Sequence, residues 1–361
     1  MQFQKKPEDM TNRIRQILEE RPVAASAPCR IDLGGTLDIS SLFYPLAYLG
    51  PCTFNAAIDM RTRVRLAPGR PGLVRVASAG FESAEYPIDE MPFDHRLGLI
   101  FAIAAYFRID GIAIEIDSAS PPRSALGGSS AAAVALVAAF SGLLQQAGQS
   151  SPDYAAIAAL AHAIEESIAG VPCGMQDQLA AIHGGVNAWH WKADAGRPGY
   201  RRQQLISAGQ TAGIEEHILV AYCGVPHESK DINGTWIRRF LAGRDRRKWM
   251  KIVELAQQFV QAFVKGDFIE AARCMNHETR IRRELTPEVV DEIGAELVDA
   301  AAAKNCGARF TGAGGGGCLW AIGSAGAIAE LRPDWADIVS RRPDGKILDV
   351  GVDTVGVCLE K

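Results

Sequence analysis

In the first 120 residues apolar and polar positions alternate in short runs, APCRIDL, CTFNAAIDM, RTRVRLAP, GLVRVAS and IAIEIDS, punctuated by Pro and Gly. Period-two alternation sends successive side chains to opposite faces, so these runs predict strands of one half-buried layer. A charged segment at residues 8–20 precedes them, and its spacing of apolar residues predicts an amphipathic helix. Two alanine-rich stretches, 129–146 and 153–169, follow the last run without an internal proline. Their length predicts helices covering one face of the sheet, and strands followed by helices predict an α+β class.

A polar, glycine-bearing and basic segment, HWKADAGRPGYRRQQLISAGQ, then interrupts the pattern. It predicts a boundary near residues 195–215, with an N-terminal domain over 1–205 and a C-terminal domain over 206–361. Beyond it HILVAYCGV at 217–225 reads as a new strand, followed by helices near 232–242, 246–264, 267–282 and 286–303. ARFTGAGGGGCLWAI reads as strand, glycine loop, strand; a helix near 325–332 and closing strands in KILDVGVDTVGVCLE complete the chain.

Composition narrows the function. Of 361 residues 48% are apolar, enough for two cores, and 38 basic against 42 acidic residues leave a net charge of −4. With no dominant basic block, nucleic acid is not expected as a partner and small molecules are. The eight cysteines lie far apart with no C-x-x-C pair, which predicts reduced thiols in a cytoplasmic protein and no zinc site. The charged N-terminus lacks an apolar signal core and the run Ala131 to Leu144 is short for a bilayer, so neither export nor membrane insertion is expected.

Three stretches carry candidate chemistry. PPRSALGGSSAAAVALVAAF, from Pro121, sets a glycine pair and Ser129–Ser130 at a predicted helix start, where free amides and the positive end of the helix dipole can hold an anion. The same stretch is equally read as a serine N-cap on a buried helix, and it is no Walker A loop. FTGAGGGGCLWAI contains G-x-G-x-x-G at Gly312, Gly314 and Gly317, with Asp337 downstream, but a strand follows it in place of a helix, which argues against a dinucleotide site. AIEESIAGVPCGMQDQLAAIHGG places Glu165 on a helix and Asp177 after a Gly/Pro turn; each is read either as chemistry or, more plainly, as a solvated charge and an N-cap.

Taken in order with APCRIDLGGTLDIS, these stretches resemble the GHMP small-molecule kinases, most closely the D-glycero-D-manno-heptose 7-phosphate kinases and galactokinase-like sugar kinases. The resemblance implies a two-domain fold, with an N-terminal ribosomal-S5-like domain and a C-terminal ferredoxin-like domain flanking the active site. It also implies an ATP- and Mg2+-dependent kinase acting on the anomeric hydroxyl of a sugar or sugar phosphate, as a monomer or homodimer. Arg123, Ala125, Leu126, Gly127, Gly128, Ser129, Ser130 and Ala131 then form the phosphate loop, with Ser130 and Glu165 as magnesium ligands. Asp177 becomes the base that takes the hydroxyl proton, and Arg30 its partner. Asp38, Gly174, Thr311, Gly312, Ala313, Gly314, Gly315 and Gly316 are implied to face the sugar.

The chain departs from the family pattern in three places. RIDLGGTLD is one residue short between arginine and aspartate, Arg123 and Ala125 stand where many relatives have glycine, and Gly128 replaces a common serine. The shortened first motif leaves open a catalytically silent, nucleotide- and sugar-binding sensor. His227, Ser229 and Lys230 are further candidate donors for a substrate phosphate, or ordinary loop residues.

Overall fold

The structure, a computed structural model, describes residues 8–192, 199–207, 209, 211–226 and 232–360. Its first half comprises α1 (Glu8–Glu20), β1 (Val23–Leu33), α2 (Ser40–Phe43), β2 (Cys52–Pro68), β3 (Leu73–Ser78), β4 (Ala84–Pro87), α3 (Gly98–Phe107), β5 (Ile112–Ser118), α4 (Gly128–Gln146), α5 (Tyr154–Ala169), α6 (Gln176–His183), β6 (Val186–Trp191) and β7 (Tyr200–Gln204). The second half adds α7 (Ala212–Glu215), β8 (Ile218–Tyr222), α8 (Ile232–Leu241), α9 (Arg246–Val264), α10 (Phe268–Leu285), α11 (Glu292–Ala303), β9 (Gly307–Phe310), β10 (Cys318–Ile322), α12 (Ala325–Ser340), β11 (Lys346–Leu348) and β12 (Cys358–Glu360). The class is α+β, as the pattern predicts.

Two sheets organise these elements. The first has eight strands in the order β12-β1-β2-β5-β3-β4, with β6 joined to β2 and β7 to β6. Its last member, β12, comes from the chain's end and pairs antiparallel with β1. The second is β11-β8-β10-β9, antiparallel throughout. With helices between β8 and β9 and α12 between β10 and β11, it has the βαββαβ layout of a ferredoxin-like unit.

Helix α4 packs across β1 and β2 and is buried over most of its length. At 19 residues it is longer than the Ala131–Leu144 run and is long and apolar enough to cross a membrane by length and composition, yet 83% of its most apolar 18 residues are buried inside the protein. Such a helix is accounted for by the core it completes.

Several boundaries differ from the pattern. CTFNAAIDM and RTRVRLAP form one strand, β2, because no turn residue separates Met60 from Arg61. The helix expected from 286 starts at Glu292: Thr286 and Val290 are extended, and Asp291 caps the helix by accepting from the Gly294 amide. The helix expected to stop at 332 continues through Pro333 to Ser340. All eight cysteines are free thiols, six of them buried.

Candidate active site

Strand β1 and the segment from Pro121 to Ser130 meet side by side, the Arg30 amide donating to the Leu126 carbonyl at 2.9 Å. The segment turns sharply, with positive φ at Arg123 (56°), Ala125 (61°) and Gly127 (77°). Only Gly127 is free of the side-chain penalty of that region, so the two substitutions for glycine are held there by their surroundings. Gly127 is the N-cap of α4, and the helix has no side-chain cap. The N-cap reading of the serines is therefore corrected: their hydroxyls turn instead to Glu165 of α5.

That contact is dense. Ser129 Oγ donates to Glu165 Oε1 at 2.9 Å and Ser130 Oγ to Oε2 at 2.7 Å. Gln178 Nε2 donates to the same Oε2 at 2.7 Å. Burial pushes the Glu165 carboxyl up, while the Ser130 and Ser129 hydroxyls pull it back. Glu165 is thus no free helix-face charge.

Asp177 lies in the first turn of α6 and makes no cap hydrogen bond there. Arg30 grips it with two, Nε to Oδ1 and Nη2 to Oδ2, each 2.8 Å, and Nη1 donates to the Ala125 carbonyl at 2.6 Å. This fork on a carboxylate fixes both direction and distance. Burial opposes the charge of Arg30, but Asp177 and Asp32 outweigh it and raise its affinity for the proton. A β-carbon on Gly127 would lie 3.3 Å from Asp177 Oδ2, so the loop backs directly onto this pair.

Asp38 is buried beside them, its Oδ2 accepting from the Gln176 amide at 3.1 Å. Burial pushes its carboxyl up to about 7 against the pull of that amide, and the charge of Asp177 adds to the rise. A β-carbon at Gly174 would fall 1.7 Å from Asp38 Oδ2, so glycine there makes room for the carboxylate.

These groups enclose one cavity of about 150 Å³, lined by Arg30, Asp38, Ser129, Ser130, Glu165, Gly174, Asp177, Gly312 and Ala313 among the residues named from sequence. Thr36, Cys173, Gln176, Gln178 and Asn233 line it as well. Arg123 is exposed outside it, and Leu126 and Ala131 are buried in the core. Gly128 opens α4 beneath Ser129. Thr311 closes its own hairpin by donating to the Cys318 carbonyl at 3.1 Å. The Gly315 amide is bound to the Val289 carbonyl, while Gly314 and Gly316 take positive φ in the same turn. The G-x-G-x-x-G run is a hairpin loop between β9 and β10, as its context predicts. His227, Ser229 and Lys230 lie outside the described residues.

Sequence reasoning missed Asp32 and Arg309. Asp32 is fully buried, accepting from the Gly312 amide at 2.8 Å and from Arg309 Nη1 at 3.0 Å. Burial works against its charge, but Arg309, Arg30 and the Gly312 amide hold its carboxyl below the usual range. The signal was the R-x-D spacing on a strand, which puts Arg30 and Asp32 on one face.

The chain is similar to known proteins in sequence and in fold. Residues 97–185 match the GHMP kinases N terminal domain, and 259–338 match the GHMP kinases C terminal domain. A mevalonate kinase of Thermococcus onnurineus (strain NA1) is 26% identical over 331 residues, 83% of this chain and 89% of that protein. A galactokinase of Roseiflexus sp. (strain RS-1) is 25% identical over 323 residues, 78% and 81%. Lactococcus lactis galactokinase complexed with galactose superposes with a TM-score of 0.72 at 16% identity, covering 97% of this chain and 98% of that one. A D-glycero-D-manno-heptose 1-phosphate kinase from Bacteriodes thetaiotaomicron gives 0.70 at 18% identity, covering 94% and 99%.

Proposed function

We propose, for a chain that belongs to the GHMP kinases through both its N-terminal and its C-terminal domain, that it phosphorylates the anomeric hydroxyl of a sugar or sugar phosphate, with ATP as donor. Heptose 7-phosphate, galactose and fucose are acceptors of this kind. The observation that carries the reading is the forked Arg30–Asp177 pair in the cavity, with Glu165 and its two serine hydroxyls in the same lining.

Asp177 is assigned the acceptor hydroxyl's proton; its two oxygens are aimed by Arg30, and general-base help of this kind contributes about 10²–10⁴ in rate. Arg30 also offsets negative charge developing on the phosphoryl oxygens. The amides at the start of α4 are assigned to phosphate oxygens, as the positive end of a helix favours. Asp38, with Gly174 giving it space, is assigned to sugar hydroxyls.

Glu165 and Ser130 would hold magnesium, and their hard oxygen donors suit it. When bound, the ion supplies neutralisation of the phosphate charge.

The lining also bears on the acceptor. Asp38, Asp177 and Glu165 line the cavity, and the guanidinium of Arg30 is already taken by Asp177 and Ala125. Carboxylates on this wall favour hydroxyl donors and disfavour a carboxylate at the same spot. The mevalonate kinases among the relatives support a second reading, an acceptor that is an alcohol bearing an acid.

The test is magnesium titration of the ATP-dependent activity in Ser130→Ala and Glu165→Ala. The half-saturating magnesium concentration is expected to rise about tenfold or more. Unchanged magnesium dependence in folded variants would overturn the assignment.

A further inference from the structure

Asp32, Glu278, Arg282 and Arg309 are each fully buried, and none of them lines the cavity. Arg309 Nε donates to Glu278 Oε2 at 3.1 Å, and Glu278 Oε1 accepts from Arg282 Nε at 2.8 Å. Arg282 then donates to Thr36 Oγ1 at 2.8 Å and to the Gly35 carbonyl at 2.7 Å. Its guanidinium carbon lies 4.8 Å from the ring centres of both Trp236 and Trp249. At the other end Asp32 Oδ1 is 3.7 Å from Arg30 Nη1.

Two carboxylates and two guanidiniums balance in this set. Burying such a set gains little stability over apolar residues of the same volume, because desolvation of the ions consumes the attraction between them. Stability therefore does not account for it. What the set does is join three segments that build the cavity: β1 with Arg30, the Gly35–Thr36 turn leading to Asp38, and the loop at Gly312. The first two belong to the large sheet's side and the third to the small sheet. Asp32 is where they converge, with Oδ1 on the Gly312 amide, Oδ2 on Arg309, and Arg30 two residues away on the same face of the strand.

We propose that Asp32 is a positioning residue, a buried carboxylate that holds the glycine loop at Gly312 and the guanidinium of Arg30 in one register, so that the two sides of the cavity are set together. Its consequence for turnover rests on the phosphoryl-transfer reading above; the clamp itself does not.

The experiment pairs amide hydrogen exchange with kinetics in Asp32→Ser, which replaces the forked carboxylate with one short hydroxyl. Exchange of the amides of residues 312–317 is expected to quicken at least about tenfold, as for a segment released to local opening, while those of 126–131 change by less than about threefold. In the same variant kcat is expected to fall about 10²-fold, the usual cost of a small misplacement of reacting groups, with KM for ATP within about threefold. Loop exchange unchanged from wild type overturns the clamp. Faster loop exchange with unaltered kcat overturns its role in positioning. If Asp32→Ser does not fold, Arg309→Lys takes its place, since one ammonium cannot span both Asp32 and Glu278. The same loop acceleration is expected there, and its absence counts against the proposal equally. A wild-type chain that phosphorylates no acceptor would sink the kinase reading alone, because the exchange result still judges the clamp.

Discussion

At the scale of single residues, the proposed chemistry rests on carboxylates whose surroundings differ. Asp177→Asn keeps the shape of the side chain but leaves Arg30 facing an amide, and turnover is expected to drop about 10²–10⁴-fold with the fold intact, measured by steady-state kinetics beside circular dichroism. Activity near wild type would remove Asp177 from its role. Gly174→Ala would drive a β-carbon into Asp38, and the expected result is KM for the sugar about tenfold higher or more while KM for ATP stays close to wild type. Arg30, Glu165 and Asp177 were legible because they stand inside recognisable stretches. Asp32 showed only as half of an R-x-D spacing with Arg30, and Arg309 not at all, because the pairing of the two is a contact across 277 positions of sequence. Gln178 escaped for a similar reason: it looks like a filler polar residue on α6 until α5 brings Glu165 to it.

At the scale of elements, the glycine hairpin and the proposed phosphate loop are locked together. The Cys318 amide donates to the Ser124 carbonyl at 2.9 Å. Gly317 has φ of 84°, and a β-carbon on it would lie 2.6 Å from Ser124 O. Gly317→Ala therefore combines backbone strain with a clash, and a loss of about 2 kcal/mol or more is expected by chemical denaturation, with KM for ATP raised. Elements with a clear period, such as α1 and α9, were readable in advance, whereas β1 is buried at all eleven positions and not on alternate ones. Helix α3 was not, since GLIFAIAAYF is apolar all round and carries no period. Strands β6 and β7 hid in VNAWHW and YRRQQ, whose mixed polarity resembles a linker until the two pair with each other.

At the scale of the whole molecule, the α+β class followed from the order of strand-like and helical runs, whereas the return of β12 to the edge beside β1 depends on a pairing between the chain's ends that no pattern announces. The buried carboxyls also give the molecule a pH signature. Asp38 has a folded pKa of about 7, above its ordinary 3.8, so between those values the folded state holds a proton that the unfolded chain releases. Its contribution therefore favours folding at the acid end of that window and is lost as pH rises through about 7, and Glu165 acts in the same direction. Asp32 and Glu278, held below their ordinary values, work oppositely: the stability they add is present above the ordinary carboxyl range and is lost on stronger acidification. Asp38→Asn is accordingly expected to raise the melting temperature more at pH 8 than at pH 5, and an equal change at both would contradict this. The most direct test of the central claim is phosphoryl transfer from Mg2+·ATP across a panel of neutral sugars, sugar phosphates and mevalonate, with the product's phosphate position read by phosphorus NMR. The expected product is an anomeric phosphate on a sugar or sugar phosphate, formed about 10²–10⁴-fold more slowly by Asp177→Asn; transfer to mevalonate alone, or ATP binding with transfer to no acceptor, would contradict it.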